Sequence, residues 1–171
     1  MRNFIYTLFI GIFIIFTGCQ QQQQNSEKFK VDPEPIIQDA IKNKKFLILV
    51  YESASCKYCE KLNREVLSQP DVKEKMIKNR VNVAIINIYG DRKVTDPETK
   101  QKMEESALSV ANKVGGLPTV IVYDPENDFK VLFRWSGYVP KNDFKDFLDY
   151  LGSKCYKKVK FEEFEEKGKS C

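Results

Sequence analysis

An apolar block over residues 4–16 follows the basic start Met1-Arg2-Asn3 and gives way to a polar run, Gln20 to Gln24 and then Asn25-Ser26-Glu27-Lys28. Beyond it, apolar positions recur with structural periods. Ile36, Ile37, Ala40 and Ile41 form a helical stripe that Asp32 can cap, with Pro33 and Pro35 tolerated in the first turn. Residues 46–51, Phe-Leu-Ile-Leu-Val-Tyr, are continuously apolar and β-prone, as in a strand buried on both faces of a sheet. Ser55 can cap a following helix with Cys59, Leu62 and Val66 on one face. Pro70-Asp71 restarts helical sequence through Val72, Met76 and Ile77, and residues 81–88 read as a second buried strand. Asp96-Pro97 predicts another helix, with Met103, Ala107, Ala111 and Val114 on one face and Gly115-Gly116 at its end. Residues 119–123 and 129–136 predict a hairpin turned at Asp124-Pro125, in which Val131, Phe133 and Trp135 alternate with Lys130, Leu132 and Arg134. A last helix, opened by Pro140 and capped by Gly152, buries Phe144, Phe147, Leu148 and Leu151. Two parallel strands joined through helices and followed by a hairpin predict an α/β fold, a central mixed sheet flanked by helices.

The chemistry gathers at Cys56-Lys57-Tyr58-Cys59, between the first strand and its helix. At a helix start, unpaired backbone N–H groups and the positive dipole end favour thiolate over thiol at Cys56, and Lys57 adds positive charge. Cys59, one turn on, can close on Cys56 as a disulfide, so the pair can cycle by thiol exchange. Two cysteines at this spacing also occur as half of a zinc site, as a haem attachment or as a plain structural bridge. Glu60 follows Cys59 and the chain has no histidine, which excludes the haem reading and any zinc site containing His.

A second signature lies downstream in Gly115-Gly116-Leu117-Pro118-Thr119, followed by Val120-Ile121-Val122-Tyr123. With the cysteine pair, it makes residues 33–152 resemble a thioredoxin-fold thiol-disulfide oxidoreductase. Residues 51–67 and 117–147 look most like periplasmic thioredoxin-related lipoproteins and the C-terminal thioredoxin-like domain of the transmembrane thiol-disulfide reductant transporter. The resemblance implies Cys56 and Cys59 as catalytic residues, supported by Lys57, Tyr58, Leu117 and a cis Pro118 facing the pair, without cofactor or metal. There are departures. Val50 stands where thioredoxins keep a buried aspartate, and Ser55 where they keep a tryptophan; Glu52, four residues before Cys56, is a candidate replacement for the missing carboxylate. Lys57 pulls toward oxidising behaviour, whereas the Leu117-Pro118-Thr119 match favours reductants.

Charged residues make up 30% of the chain and the net charge is +4, which leaves no basic footprint for nucleic acid. Residues 1–18 read as a lipoprotein signal peptide, because Phe16-Thr17-Gly18-Cys19 resembles a lipobox in which Cys19 is acylated, although Phe16 replaces the usual Leu. Residues 19–31 then form a flexible tether of at most about 40 Å. Residues 32–152 form the domain, and residues 153–171 a charged extension containing Phe161, Phe164, Cys155 and Cys171. Outside the cytoplasm a leftover pair such as Cys155 and Cys171 predicts a structural disulfide; a four-cysteine zinc site with Cys56 and Cys59, or a catalytic relay to the tail, are the alternatives. The combined expectation is a lipid-anchored, periplasm-facing reductase in the bacterial cell envelope. Its partners would be client proteins with cysteines or disulfides, an upstream thiol-disulfide electron donor and the membrane. An oxidase or isomerase, a copper-binding thiolate module or a non-catalytic chaperone are the other readings. Replacing Cys19 by Ala is expected to release or misprocess the mature chain. Membrane fractionation with intact-mass measurement checks this, and a normally processed variant that still sediments with membranes contradicts it.

Overall fold

All seven residues of strand β1 (Phe46–Glu52) are buried, the first six as the unbroken apolar run requires and Glu52 in addition. The computed structural model describes residues 29–171; the leader, Cys19 and the tether up to residue 28 lie outside the described residues. β1 pairs in parallel with β2 (Val81–Asn87) and antiparallel with β5 (Thr119–Asp124), which pairs in turn with β6 (Lys130–Ser136), giving the order β2-β1-β5-β6. Because side chains alternate along a strand, β1 feeds two cores. Phe46, Ile48 and Val50 join Leu62, Val66, Phe144, Phe147 and Leu148 on one face. Leu47, Leu49 and Tyr51 join Ile37, Ala40, Leu108 and Tyr123 on the other.

Helix α1 (Pro33–Asn43) begins as predicted, with the Asp32 carboxylate accepting from the Glu34 N–H at 3.0 Å. Helix α2 (Lys57–Leu62) continues into a π-helical segment, Asn63–Leu67, and α3 (Pro70–Lys78) follows. The helix expected from Asp96-Pro97 is not formed there. The Asp96 carboxylate accepts instead from the Glu98 N–H and the Thr99 hydroxyl, both at 2.9 Å, and Lys100 adopts φ 63°, so the capping signal closes a turn between two short strands, β3 (Lys93–Thr95) and β4 (Lys102–Glu104). Helix α4 is only Glu105–Ala111 and buries Leu108; Ala107 and Ala111 are exposed, and Met103 and Val114 pack from outside it. In the β5–β6 pairing the register shifts between Val122/Tyr123, so Val122 faces Phe133 and Tyr123 faces Val131. This bulge leaves Val131 exposed and lets Leu132 pack on the same core as Phe133 and Trp135, breaking the expected alternation.

Helix α5 (Lys141–Gly152) buries the four predicted apolar residues. Gly152 is not a left-handed cap: the helix closes at Ser153, and Lys154 takes the positive φ of 60°. A Cβ at Gly152 would lie 1.9 Å from Asn79 Oδ1, so the glycine allows close approach to the end of α3.

The domain's own contacts begin at Phe29, inside the stretch expected to be tether. Arg92 donates to the carbonyls of Phe29 and Val31 at 2.9 and 2.7 Å, while its Nε and Nη2 grip the buried Glu105 carboxylate at 2.8 and 2.7 Å. The charged extension is folded as well. A 3₁₀ turn, Cys155–Lys157, leads to α6 (Phe161–Glu166), whose Phe161 ring centroid lies 5.2 Å from that of Phe147 and 5.9 Å from that of Trp135. Phe164 packs 5.2 Å from Tyr150. Truncating Phe161 to Ala should lower the unfolding free energy by about 3 kcal/mol, the low end for a buried phenylalanine. Urea denaturation measures it, and a loss below about 0.5 kcal/mol would show that α6 does not stabilise the domain.

Candidate active site

The buried strand β1 ends at Glu52, and four residues later Cys56 caps α2. Ser55 does not supply the cap; Cys56 does, with its Sγ accepting from the Cys59 N–H at 3.1 Å. Cys56 and Cys59 are joined by an S–S bond of 2.08 Å, with 5.2 Å between their Cα atoms. The sulfurs differ in access. Cys59 is fully buried, Cys56 is partly exposed, and Lys57 and Tyr58 stand exposed between them, Tyr58 at 64%.

Topology brings the second signature to the same end. Tyr51 pairs with Thr119, so Leu117 and Pro118 lie level with the end of β1. The Leu117–Pro118 peptide is cis, Pro118 is buried, and its carbonyl accepts from the Gly137 N–H at 2.7 Å. Gly137 takes φ +99°, a conformation that favours glycine and turns the chain from β6 toward Tyr138. The Tyr138 hydroxyl donates to Glu65 at 3.0 Å, and Lys61 Nζ sits 4.3 Å from the centre of its ring, so this loop braces the active-site helix. Burial and the Glu65 carboxylate raise the Tyr138 pKa; the bond from Arg64, followed by that from Tyr138, lowers that of Glu65.

Glu52 is fully buried, and both of its carboxyl oxygens accept from Asn63 Nδ2 at 2.9 Å. The sequence reading missed Asn63. Its signal was a polar residue four positions after Cys59, on a helical face otherwise assigned to apolar packing.

Cys155 and Cys171 are joined by an S–S bond of 2.02 Å at the other end of the sheet. Tyr156 meets Phe46, the first residue of β1, edge to face with centroids 5.5 Å apart. The length of β1 therefore separates the two cysteine pairs, about 20 Å at the usual rise per residue. This rules out the four-cysteine zinc site and a direct relay to the tail within one molecule. Among the described residues no group of three or more Cys, Asp or Glu side chains could hold a metal ion.

The chain belongs to the thioredoxin-like domain family, whose model matches residues 33–152. A thioredoxin-fold protein from Helicobacter pylori is 26% identical, with 71% of this chain and 77% of that chain covered and a TM-score of 0.57. A thioredoxin from Thermus thermophilus is 24% identical, with 71% and 82% covered and a TM-score of 0.51, which bears on the fold. The oxidised C-terminal domain of DsbD from Neisseria meningitidis is 19% identical, with 66% and 86% covered and a TM-score of 0.48. A search of the curated proteins found no match. Family and site together define a thiol-disulfide oxidoreductase carrying the Cys56–Cys59 pair, a class that exchanges with disulfide-bearing substrates and thiol donors.

After mild reduction, Cys56 is expected to react with iodoacetamide well before Cys59, because only its sulfur combines access with the helix start. Peptide mapping of singly alkylated protein checks the order, and equal labelling would contradict it.

Proposed function

We propose that this chain is a lipid-anchored protein-disulfide reductase that faces the periplasm and acts on oxidised client proteins. The observation that carries the reading is the asymmetry of the pair, a reachable Cys56 at the start of α2 with a fully buried Cys59 behind it. The reduced Cys56 thiolate attacks a client disulfide; a bond forms between Cys56 and one client sulfur while the other leaves as a thiolate. Cys59 then attacks Cys56, the mixed disulfide breaks, and the second client thiolate departs. Two electrons have passed to the client, and an upstream dithiol restores the pair by the same exchange in reverse.

Backbone groups around Leu117 and Pro118 hold the client strand by pairing, beside the exposed Lys57 and Tyr58. The Leu117-Pro118-Thr119 match supports the reducing direction. Anchoring rests on Gly18-Cys19 at the end of the apolar leader.

The Cys59→Ser variant should accumulate client proteins as mixed disulfides that reductant releases, and the double variant Cys56→Ser/Cys59→Ser should trap none. Mass spectrometry of the trapped species names the clients. Equilibration with glutathione should give a potential near about −270 mV, as in thioredoxin, whereas a value near about −120 mV would assign an oxidase. Trapping through Cys56→Ser alone would reverse the roles, and no trapping by either variant, with tight copper binding by the wild type, would replace the enzyme by a metal-binding module.

A further inference from the structure

We propose that a cavity beside the Cys56 end of the sheet selects client proteins that carry a lysine or arginine near their reactive cysteine. The inference rests on the reading of Cys56 as the thiol that attacks clients. The cavity, of about 350 Å³, has aromatic walls: Phe133 and Trp135 of β6, Tyr138 of the loop that follows, and Phe161 of α6. Trp135 lies 4.6 Å from Phe133 and 5.9 Å from Phe161 between centroids, edge to face in both pairs, so rings of different orientation surround one space. The face of such a ring is electron-rich and attracts a cation.

Three exposed carboxylates, Asp143 of α5 with Glu162 and Glu165 of α6, stand on its rim. Among the described residues none of the three joins an ion pair, although their neighbours Asp146 and Glu163 are held by Lys169 and Lys167 at 2.7 and 2.6 Å. Burial, followed by the charges of Asp143, Asp146 and Glu162, raises the Glu165 pKa, as expected where carboxylates crowd without a counter-ion. The basic side chains at hand are engaged elsewhere. Lys141 and Lys145 pair with Asp71 and Lys61 with Glu65, while Lys160 lines the adjoining groove around Tyr156. The whole chain carries +4, so this negative, aromatic-walled cavity is a local feature that net charge does not explain. A lysine or arginine side chain matches both parts of it, since its aliphatic stem packs on the rings while its charge meets the rim.

Trp135 pairs with Val120, and the Gly137 N–H donates to the Pro118 carbonyl at 2.7 Å, which sets the cavity one strand away from the segment that holds the client. From β1 to β6 is two strand spacings, about 10 Å, and an extended client covers that span and the depth of the cavity in about five residues. Phe161, Glu162 and Glu165 lie beyond residue 152, where the family match ends. The selectivity therefore belongs to the extension of this chain and not to the thioredoxin-like domain alone.

Short peptides whose one cysteine is joined to thionitrobenzoate, with a lysine about three to seven residues from it on either side, test this. Release of the coloured thiolate by the reduced full chain gives kcat/KM. The best lysine peptide should exceed its glutamine counterpart by about 10-fold at low salt. Glu162→Gln/Glu165→Gln should cut that ratio below about twofold, and Trp135→Leu should lower it by about threefold. Glu162→Lys/Glu165→Lys should reverse the preference in favour of glutamate peptides. Equal rates for lysine and glutamine peptides with the wild type overturn the proposal. So do variants that slow both peptides together and leave the ratio intact, the signature of a merely structural role. If Trp135→Leu does not fold, the glutamate variants decide. Equal peptide rates together with a dimer that Glu162→Lys/Glu165→Lys dissociates in sedimentation would assign the cavity to a second copy, and also overturn it. A wild-type chain that releases no thiolate from any peptide would instead remove the reading of Cys56 on which the proposal stands.

Discussion

A strand with no solvent-facing side sets the terms for the rest of the molecule. With every residue of β1 buried, each side chain belongs to one of two cores, and a slip of one residue would exchange Ile48 and Val50 for Leu47 and Leu49 across the sheet. The register that follows delivers Asn87 of β2 and Thr119 of β5 to the same end as Glu52 and the turn into Cys56. It also places a carboxyl group in the interior, which is costly unless its oxygens are bonded. Asn63 answers that requirement from the one helix that must stay in register with β1 for the cysteines to be presented.

The parts of the fold legible in the sequence are those where local pattern and tertiary burial ask for the same thing. Residues 46–51 can only be a strand buried twice, and Phe144, Phe147, Leu148 and Leu151 can only be a helix face. Asp96-Pro97 misled because a carboxylate followed by proline serves a turn as well as a helix start, and the choice was made by Thr95. The Thr95 N–H donates to Glu34, at 2.7 Å, and its hydroxyl to the other oxygen of the same carboxylate, at 2.8 Å, bonds made across 61 positions that no local window contains. The bulge in β6 was hidden for a similar reason: alternation in β6 is read from one strand, and a bulge is a property of two. In the site, both cysteines and Pro118 were legible from spacing. Asn63 was not, because an asparagine on a helix face has no meaning until the residue beneath it is known to be a carboxylate.

The extension beyond residue 152 looked like charge with two phenylalanines in it. Phe161 and Phe164 fold it back because Trp135, Phe147 and Tyr150 would otherwise leave aromatic surface facing water, and the Tyr150 hydroxyl fixes the return by donating to the Val159 carbonyl at 2.6 Å. The Cys155–Cys171 bridge closes this segment by linking residues 16 positions apart. Loop-closure entropy gives such a bridge about 3 kcal/mol, comparable to one buried phenylalanine. The two devices act at different heights of the sheet: the bridge lies toward the Phe46 end, whereas Phe161 packs on Trp135, which pairs with Val120 toward the Cys56 end.

The entry of the chain obeys the opposite geometry. Glu105 accepts from the Asn87 N–H at 3.0 Å, at the active end of β2, and the Arg92 it grips holds the carbonyls of Phe29 and Val31. Glu105 is buried, and Gly90 admits it because a Cβ there would lie 2.2 Å from its Oε2. Removing one partner of such a pair leaves a buried charge and costs about 3–5 kcal/mol, so the attachment is firm. The chain therefore enters the domain from the end of the sheet that presents Cys56, while Cys155 and Cys171 lie at the far pole. With a lipid on Cys19, as proposed, the tether joins the domain beside its reactive pair, and that geometry suits clients held at or near the same membrane surface.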